Sequence, residues 1–263
     1  FFPWAGHAIM RSDWTPQARY MCIDGGPWGT NHQHGDKLSF ILIANGATFI
    51  IDPRPSKYSS NQPDGFLSRQ QSGFLHNTIT VDGVDEFSAG NGDVEAKKPL
   101  TNTWEHGKNY SLFASSYSFK PVKPVKWERR MLFVNASYWL LQDVVSGDQK
   151  EAELEQNFQF DADIKISFKK DMTIAQAPNG ARLVLIRLEG SLNPELTAGD
   201  KKPHTTYWPS GKPTTVLHEE DEKHGRGWTG GKNGWADTLI PAPAVTYVGK
   251  VTLPATLTMA IVP

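Results

Sequence analysis

His32 and His34 stand two residues apart in Asn31-His32-Gln33-His34-Gly35-Asp36-Lys37-Leu38-Ser39-Phe40, directly before an apolar run. In an extended segment alternate side chains point to one face, so the two rings lie about 6.6 Å apart along the strand and can chelate one ion. Neutral imidazole is the commonest metal ligand. The same arithmetic puts Asp36 about 13 Å from His32 on a straight strand. Metal bonds are about 2 Å long, so a third ligand has to come from elsewhere, and Asp36 is read as bonding backbone amides at a bend. Two positions can supply that ligand. Asp52 ends the run Ala47-Thr48-Phe49-Ile50-Ile51, and His76 opens His76-Asn77-Thr78-Ile79-Thr80-Val81-Asp82-Gly83. Each has a plainer reading: His32 and His34 as hydrogen-bonded or surface histidines, Asp52 as a strand-end turn residue before Pro53, His76 as a core histidine with a satisfied ring. Asn77 is expected to hold backbone in place.

Taken in order, the pattern HxHxDxLSF, the strand ending in Ile51-Asp52-Pro53, Arg69, and Leu75-His76-Asn77-Thr78-Ile79-Thr80-Val81-Asp82-Gly83 resembles the heparinase II/III-like C-terminal domain of polysaccharide lyases. That family includes heparinases and oligoalginate lyases. The motifs lie within residues 5–87. The resemblance implies a zinc ion held by His34, Asp52 and His76. It implies that His32 faces a uronic-acid substrate as a catalytic group, with Tyr58 and Arg69 as substrate neighbours. Where many members read Asp-Pro-Gly, this chain reads Asp52-Pro53-Arg54. The activity implied is β-elimination on an acidic polysaccharide or oligosaccharide, in the periplasm or outside the cell. Its general base resembles a tyrosine of a helical toroid that precedes the β region in the family, and the chain, opening at Phe1-Phe2-Pro3-Trp4 without an initiator Met, is read as a fragment or processed chain lacking that toroid.

The elements that must position these residues are strands. Amphipathic helical stretches are scarce, while β-rich runs separated by turn residues recur. Leu38 to Ala44 and Ala47 to Asp52 flank Asn45-Gly46, the strongest short hairpin signal. Phe40, Leu42, Phe49 and Ile51 form one apolar face of this hairpin, and Ile41, Ile43 and Ile50 the other, which suits a hairpin lying between two layers. Asp82-Gly83 makes a second turn. Ser111 to Phe119, Trp127 to Val134, Tyr138 to Val145, Leu154 to Phe160, Ala181 to Leu188 and Val251 to Val262 read as further strands, with Pro121-Val122-Lys123-Pro124 as a linker. The fold class is all-β, a multi-layer antiparallel β-sandwich forming one domain over residues 1–263, with a long loop at about 201–242. In that loop Trp208, His224, Arg226 and Trp228 can line a sugar groove, since aromatic faces stack on pyranose rings and Arg forks a carboxylate. Each also has a solvated or packing alternative. A two-residue turn at Asn45-Gly46 pairs Ser39 with Asp52 and leaves His34 about 16 Å away on a straight strand. For His34 and Asp52 to share an ion, as the resemblance implies, the chain has to bend at Gly35-Asp36, which glycine permits.

Composition removes other classes. A net charge of -1 and a pI near 6.8 give no electrostatic footprint for nucleic acid. A mean hydropathy of -0.45 is that of an ordinary globule, and no apolar run approaches the ~18 residues of a membrane-spanning helix. Cys22 is the single cysteine, so no intrachain disulfide or CxxC site can form, a usage that fits cytosol and periplasm alike. A metallo-β-lactamase-like hydrolase needs HxHxDH, and Lys37 stands where the last histidine belongs. A cupin expects a Glu a few residues on, where Lys37 to Phe40 sit. GxSxG, P-loop and dinucleotide patterns are missing. The rival to the lyase reading is a non-catalytic carbohydrate-binding or structural β-domain.

If His34 takes the metal and the chain bends at Gly35, His32 sits beside the ion and free of it, with a proton to carry near neutral pH. His32→Ala in the full-length protein should cost roughly 10²-fold or more in kcat, with zinc content and melting temperature near wild type. Full activity in that variant, or loss of zinc, would show the division of labour between the two histidines to be wrong.

Overall fold

The computed structural model describes residues 1–26, 34–53, 72–85, 101–119, 123–199, 204–207, 213–216, 226–230 and 239–263. Its strands in chain order begin with β1 (His7–Arg11), β2 (Tyr20–Asp24), β3 (Phe40–Ala44), β4 (Ala47–Ile50), β5 (Ile79–Val81), β6 (Thr103–Gly107) and β7 (Tyr110–Phe119). There follow β8 (Val125–Val134), β9 (Tyr138–Gly147), β10 (Glu151–Gln159), β11 (Lys165–Lys169), β12 (Met172–Gln176), β13 (Arg182–Glu189) and β14 (Asn193–Thr197). The last are β15 (His204–Tyr207), β16 (Pro213–Val216), β17 (Trp228–Gly230), β18 (Leu239–Pro241), β19 (Ala244–Thr252) and β20 (Ala255–Val262).

One layer is an eight-stranded antiparallel sheet in the order β11-β12-β13-β20-β9-β8-β7-β6. Its long central strands alternate strictly. Val125, Trp127, Met131 and Phe133 of β8 and Trp139, Leu141 and Val145 of β9 point inward, as a half-buried strand requires. The facing layer consists of two four-stranded sheets, β1-β2-β3-β4 and β14-β19-β10-β5. They join along β10. Its first half pairs with β5 through Leu154↔Val81 and Gln156↔Ile79, and its far end meets the tail of β4, where the Ile51 amide donates to the Gln159 carbonyl at 2.9 Å and the Asp161 amide to Phe49 at 3.0 Å. Phe40, Phe49, Phe158 and Tyr247 from this layer and Trp127, Trp139, Leu183 and Leu257 from the other share one buried core. The sandwich expected from sequence is therefore the architecture observed.

Turn chemistry explains the hairpins. Asn45 and Gly46 (φ 52° and 74°) and Asp82 and Gly83 (φ 54° and 70°) are left-handed pairs, the conformation that a tight hairpin turn demands. Three details differ from expectation. The β3-β4 pairing slips after Ile43↔Thr48, so that Leu42 faces Ile50 instead of Phe49, and Phe49 and Ile50 are both buried while Ile41 and Ile43 stay partly open. The run Val251 to Val262 is broken at Leu253-Pro254 into β19 and β20. The long loop contains two short hairpins, β15-β16 and β17-β18. Strands β1, β2, β6, β11, β12 and β14 were not anticipated. Each is only five residues long, and each is held by pairing with its neighbours in the sheet.

The β8-β9 hairpin turns through Asn135 and Ala136, both left-handed at φ 48° and 49°, closed by the Ser137 amide on the Val134 carbonyl at 2.8 Å. A left-handed alanine costs roughly 1–2 kcal/mol, offset in part by the ~0.4–1 kcal/mol of unfolded-chain entropy that glycine adds. Ala136→Gly should raise stability by about 0.5–1 kcal/mol in urea unfolding. A midpoint at or below wild type would contradict the left-handed assignment.

Candidate functional site

The candidate site forms where the β1-β4 sheet meets the segment entering β5. After His34 and Gly35 the chain turns between Asp36 and Ser39, closed by the Ser39 amide on the Asp36 carbonyl at 2.9 Å, with Leu38 left-handed at φ 59°. The Leu38 amide donates to Asp24 at 2.7 Å and the Asp24 amide to Ser39 at 2.9 Å, so strand β2 fixes the turn. Gly35 is itself a bend, as expected, and the turn at Asp36–Ser39 follows it directly. His76 follows a single 3₁₀ turn, Gly73–Leu75, whose start is capped by the buried Asp85 carboxylate accepting from the Ser72 hydroxyl (2.5 Å) and the Gly73 amide (2.6 Å). The Gln159 side-chain amide donates to Phe74 O at 3.1 Å and the Thr78 hydroxyl to Gly73 O at 2.7 Å. The turn that presents His76 is therefore held from β10 and from β5's approach.

Asn77 secures the join. Its side-chain nitrogen donates to the carbonyls of Phe40 and Ile51, both at 2.8 Å, its side-chain oxygen accepts from the Gln159 amide at 2.7 Å, and its backbone amide reaches Ser39 Oγ at 3.1 Å. The residue holds backbone in place, as expected, and wedges β3 from β4 where their register slips.

Three of the residues singled out in the sequence come together. The His34 and His76 rings lie 5.2 Å apart at 42°, and His76 Nδ1 is 2.5 Å from Asp52 Oδ1. Asp36 joins them: ligand atoms of His34, Asp36 and His76 all lie within 4.8 Å of one another. The straight-strand distance to Asp36 runs from His32; from His34, Asp36 is only two residues on, across the bend at Gly35. His76 is buried, whereas Asp52 keeps about half its side-chain surface (49%) open, facing a cleft of about 250 Å³ that Asp24, Asp36 and His7 also line. His32, Tyr58, Arg69, Trp208 and His224 lie outside the described residues.

The two carboxyls are driven in opposite directions. Burial pushes Asp36 up to about 6; His76 and Lys37 oppose this, and the neighbouring Asp24 and Asp52 add to it. Burial also pushes Asp52 up, but the charge of His76 and its hydrogen bond, with His34 beside them, hold Asp52 below the usual carboxylate range. Two imidazoles and two carboxylates converging from three segments form an N/O donor set that suits zinc or another divalent cation. Such an ion would relieve the crowding of acidic charge around Asp36.

The loop residues behave differently. Arg226 Nη2 pairs with Glu155 at 2.6 Å, its Nε donates to Phe74 O at 3.4 Å, and its guanidinium lies over the Phe74 ring. Trp228 is a buried core side chain. Both take the packing alternative. Gly227 at φ 87° accepts from the amides of Gly199 (3.0 Å) and Ala242 (2.7 Å); a Cβ on Gly199 would meet Gly227 O at 2.3 Å, so the strap approaches too closely for any side chain.

Sequence reading missed Arg129 and Asp143. They occupy inward positions of β8 and β9, are fully buried and face each other across the ladder. The signal was present: each charge is in phase with apolar neighbours, Trp127 and Met131 in one strand, Leu141 and Val145 in the other.

A family model described as heparinase II/III-like, C-terminal matches residues 1–223, well beyond the 5–87 in which the motifs lie. A heparin-sulfate lyase of Pedobacter heparinus is 27% identical over 145 residues, covering 55% of this chain and 20% of the relative. One of Bacteroides stercoris is 23% identical over 186 residues, covering 69% and 26%. Among solved structures, heparan sulfate lyase HepC from Pedobacter heparinus matches 99% of this chain and 35% of its own, with a TM-score of 0.68 at 19% identity. A heparinase III matches 100% and 35%, with a TM-score of 0.73 at 16% identity. At these identities the structural likeness is one of fold. The chain spans about a fifth to a third of the length of these relatives.

An acid whose folded pKa lies above its unfolded value binds more protons when folded, so stability falls as pH rises between the two. Chelator-treated protein should therefore lose stability from about pH 4, the ordinary Asp value, to about pH 6, the folded value of Asp36. Asp36→Asn should flatten that part of the profile. Equal slopes in both proteins would contradict the placement of Asp36.

Proposed function

The chain belongs to the heparinase II/III-like, C-terminal family, and from that premise we propose that it is the β-sandwich part of a polysaccharide lyase. The substrate is a uronic-acid-containing polysaccharide and the reaction β-elimination. The observation that carries this reading is the clustering of His34, Asp36 and His76, with Asp52 on His76 Nδ1, beside a cleft that Asp36 and Asp52 line, in a chain whose relatives are named heparin-sulfate lyases.

In such a reaction the uronate carboxylate is neutralised, a base removes the C5 proton, and the C4 oxygen departs with help from an acid, leaving an unsaturated sugar. His32, two residues before His34, is the group of this chain assigned to the carboxylate or the leaving oxygen, and Tyr58 and Arg69 are its proposed substrate neighbours. The base is assigned to an upstream helical domain. His34, Asp52 and His76 would hold zinc, with Asp36 as a further donor beside them. Bound there, zinc supplies neutralising charge and braces the wall that carries His32. Asp52 on His76 Nδ1 fixes the orientation of that ring. A polymer of this kind goes with a periplasmic or secreted protein.

The test uses the full-length protein. Absorbance of unsaturated uronates near the ultraviolet edge should grow on at least one of heparin, heparan sulfate, chondroitin sulfate and alginate. Elemental analysis should give about one zinc per chain, lost in an Asp52→Ala, His76→Ala double variant. No absorbance change on any polymer would favour a non-catalytic carbohydrate-binding or structural domain. Zinc near zero, or zinc retained in the double variant, would remove the metal assignment.

A further inference from the structure

We propose that Arg129 and Asp143, in the layer opposite the site, act as a positioning pair that sets the separation of the two segments carrying His34, Asp36 and His76, and thereby the affinity of the site for its ion. The inference rests on the zinc reading above.

The geometry is specific to these two residues. Arg129 Nε and Nη2 fork the Asp143 carboxylate at 2.7 and 2.8 Å, across a directly facing position of β8 and β9. That fork aims Nη1 out of the eight-stranded sheet and across the core. There it donates to two carbonyls at once, Leu38 at 2.8 Å and Asn77 at 2.5 Å. Leu38 is the left-handed residue of the turn that displays Asp36, and Asn77 adjoins His76. One guanidinium nitrogen therefore spans both ligand-bearing segments. Asp143 is itself fixed by Trp127 Nε1 at 2.9 Å and by the Gln156 side-chain amide of β10 at 2.7 Å, which ties the pair back to the site's own layer.

The chemistry explains why arginine stands here. A planar, permanently charged fork with five donors can hold a carboxylate and two carbonyls in one plane, which a lysine ammonium on a flexible stem cannot. Both side chains are fully buried. A buried ion pair is often replaceable by apolar residues with no loss of stability, so stability alone does not account for this one. Among the described residues, Arg129 bonds to no candidate ligand side chain. Its effect passes through the Leu38 and Asn77 carbonyls.

The test compares wild-type full-length protein with Arg129→Met/Asp143→Asn, which removes both charges and leaves no unpaired buried ion, and with Phe133→Leu, a core substitution on the same strand. Zinc affinity by chelator competition and amide exchange over residues 35–40 and 74–79 are the readouts. The double variant should bind zinc about tenfold or more weakly, the scale of outer-shell effects on metal sites, with faster exchange in both segments. Phe133→Leu should lower the melting temperature and leave zinc affinity at the wild-type value. A folded double variant with wild-type affinity and exchange overturns the proposal. If the double variant does not fold, Arg129→Lys carries the comparison with the same expectation; wild-type affinity in it, or failure of both variants to fold, also overturns the proposal. Wild-type protein that binds no zinc defeats the zinc reading instead, and amide exchange then judges the pair by itself.

Discussion

A single amide side chain stands where three strands would otherwise come apart. Between Phe40 and Ile51 the β3-β4 ladder is replaced by the two hydrogens of Asn77 Nδ2, while Asn77 Oδ1 takes the Gln159 amide of β10. Each of these groups is buried, and a buried polar group without a partner costs about 1–3 kcal/mol. A side chain lacking either the donors or the acceptor would strand several of them together. Only asparagine or glutamine offers two donor hydrogens together with a carbonyl acceptor, and the shorter stem fits a residue held so close to the backbone that its own amide reaches Ser39 Oγ at 3.1 Å. The insertion bridges the two strands on the far side of the register slip, next to Asp52 and one residue after His76.

Around that insertion the site obtains two unlike carboxyls from similar surroundings. His76 attracts charge onto both, yet Asp36 rises and Asp52 falls. The difference lies in neighbours. Asp52 accepts directly from His76 and has His34 close by, whereas Asp36 faces Asp24 and Asp52 in a more enclosed place. A site so arranged is short of positive charge at one corner and balanced at another, the asymmetry that a cation entering beside Asp36 would correct.

What could be read from the sequence was local in origin. Asn45-Gly46 and Asp82-Gly83 announce their turns because left-handed backbone is a property of those residues themselves. The alternation of β8 and β9 is equally plain, since both are long and half-buried. His34, Asp52 and His76 could be picked out as an ordered set. What could not be read depends on partners distant in the chain. The turn at Asp36–Ser39 is held by Asp24, and Asn77 fills the gap between Phe40 and Ile51 beyond the slip at Leu42 and Ile43. Asp36 joins the cluster across the bend at Gly35, with His76 brought from a distant segment. Arg129 and Asp143 were legible in principle as charges in phase with apolar residues, but their meaning required the opposite layer. The break at Leu253-Pro254 lay inside a run whose apolar pattern continues on both sides of it.

The layer that carries the site is two half-sheets meeting along one strand, and the ligand-bearing residues lie along that seam. Asp36 sits in a turn held by β2, Asp52 follows β4 and bonds His76, and His76 follows a turn held by Gln159 of β10. Loops elsewhere on the domain can therefore lengthen, shorten or change composition without moving these side chains. A scaffold of this kind separates what must stay constant during divergence from what is free to vary. The connecting segments can drift while the seam, built from main-chain hydrogen bonds and one inserted amide, keeps its shape.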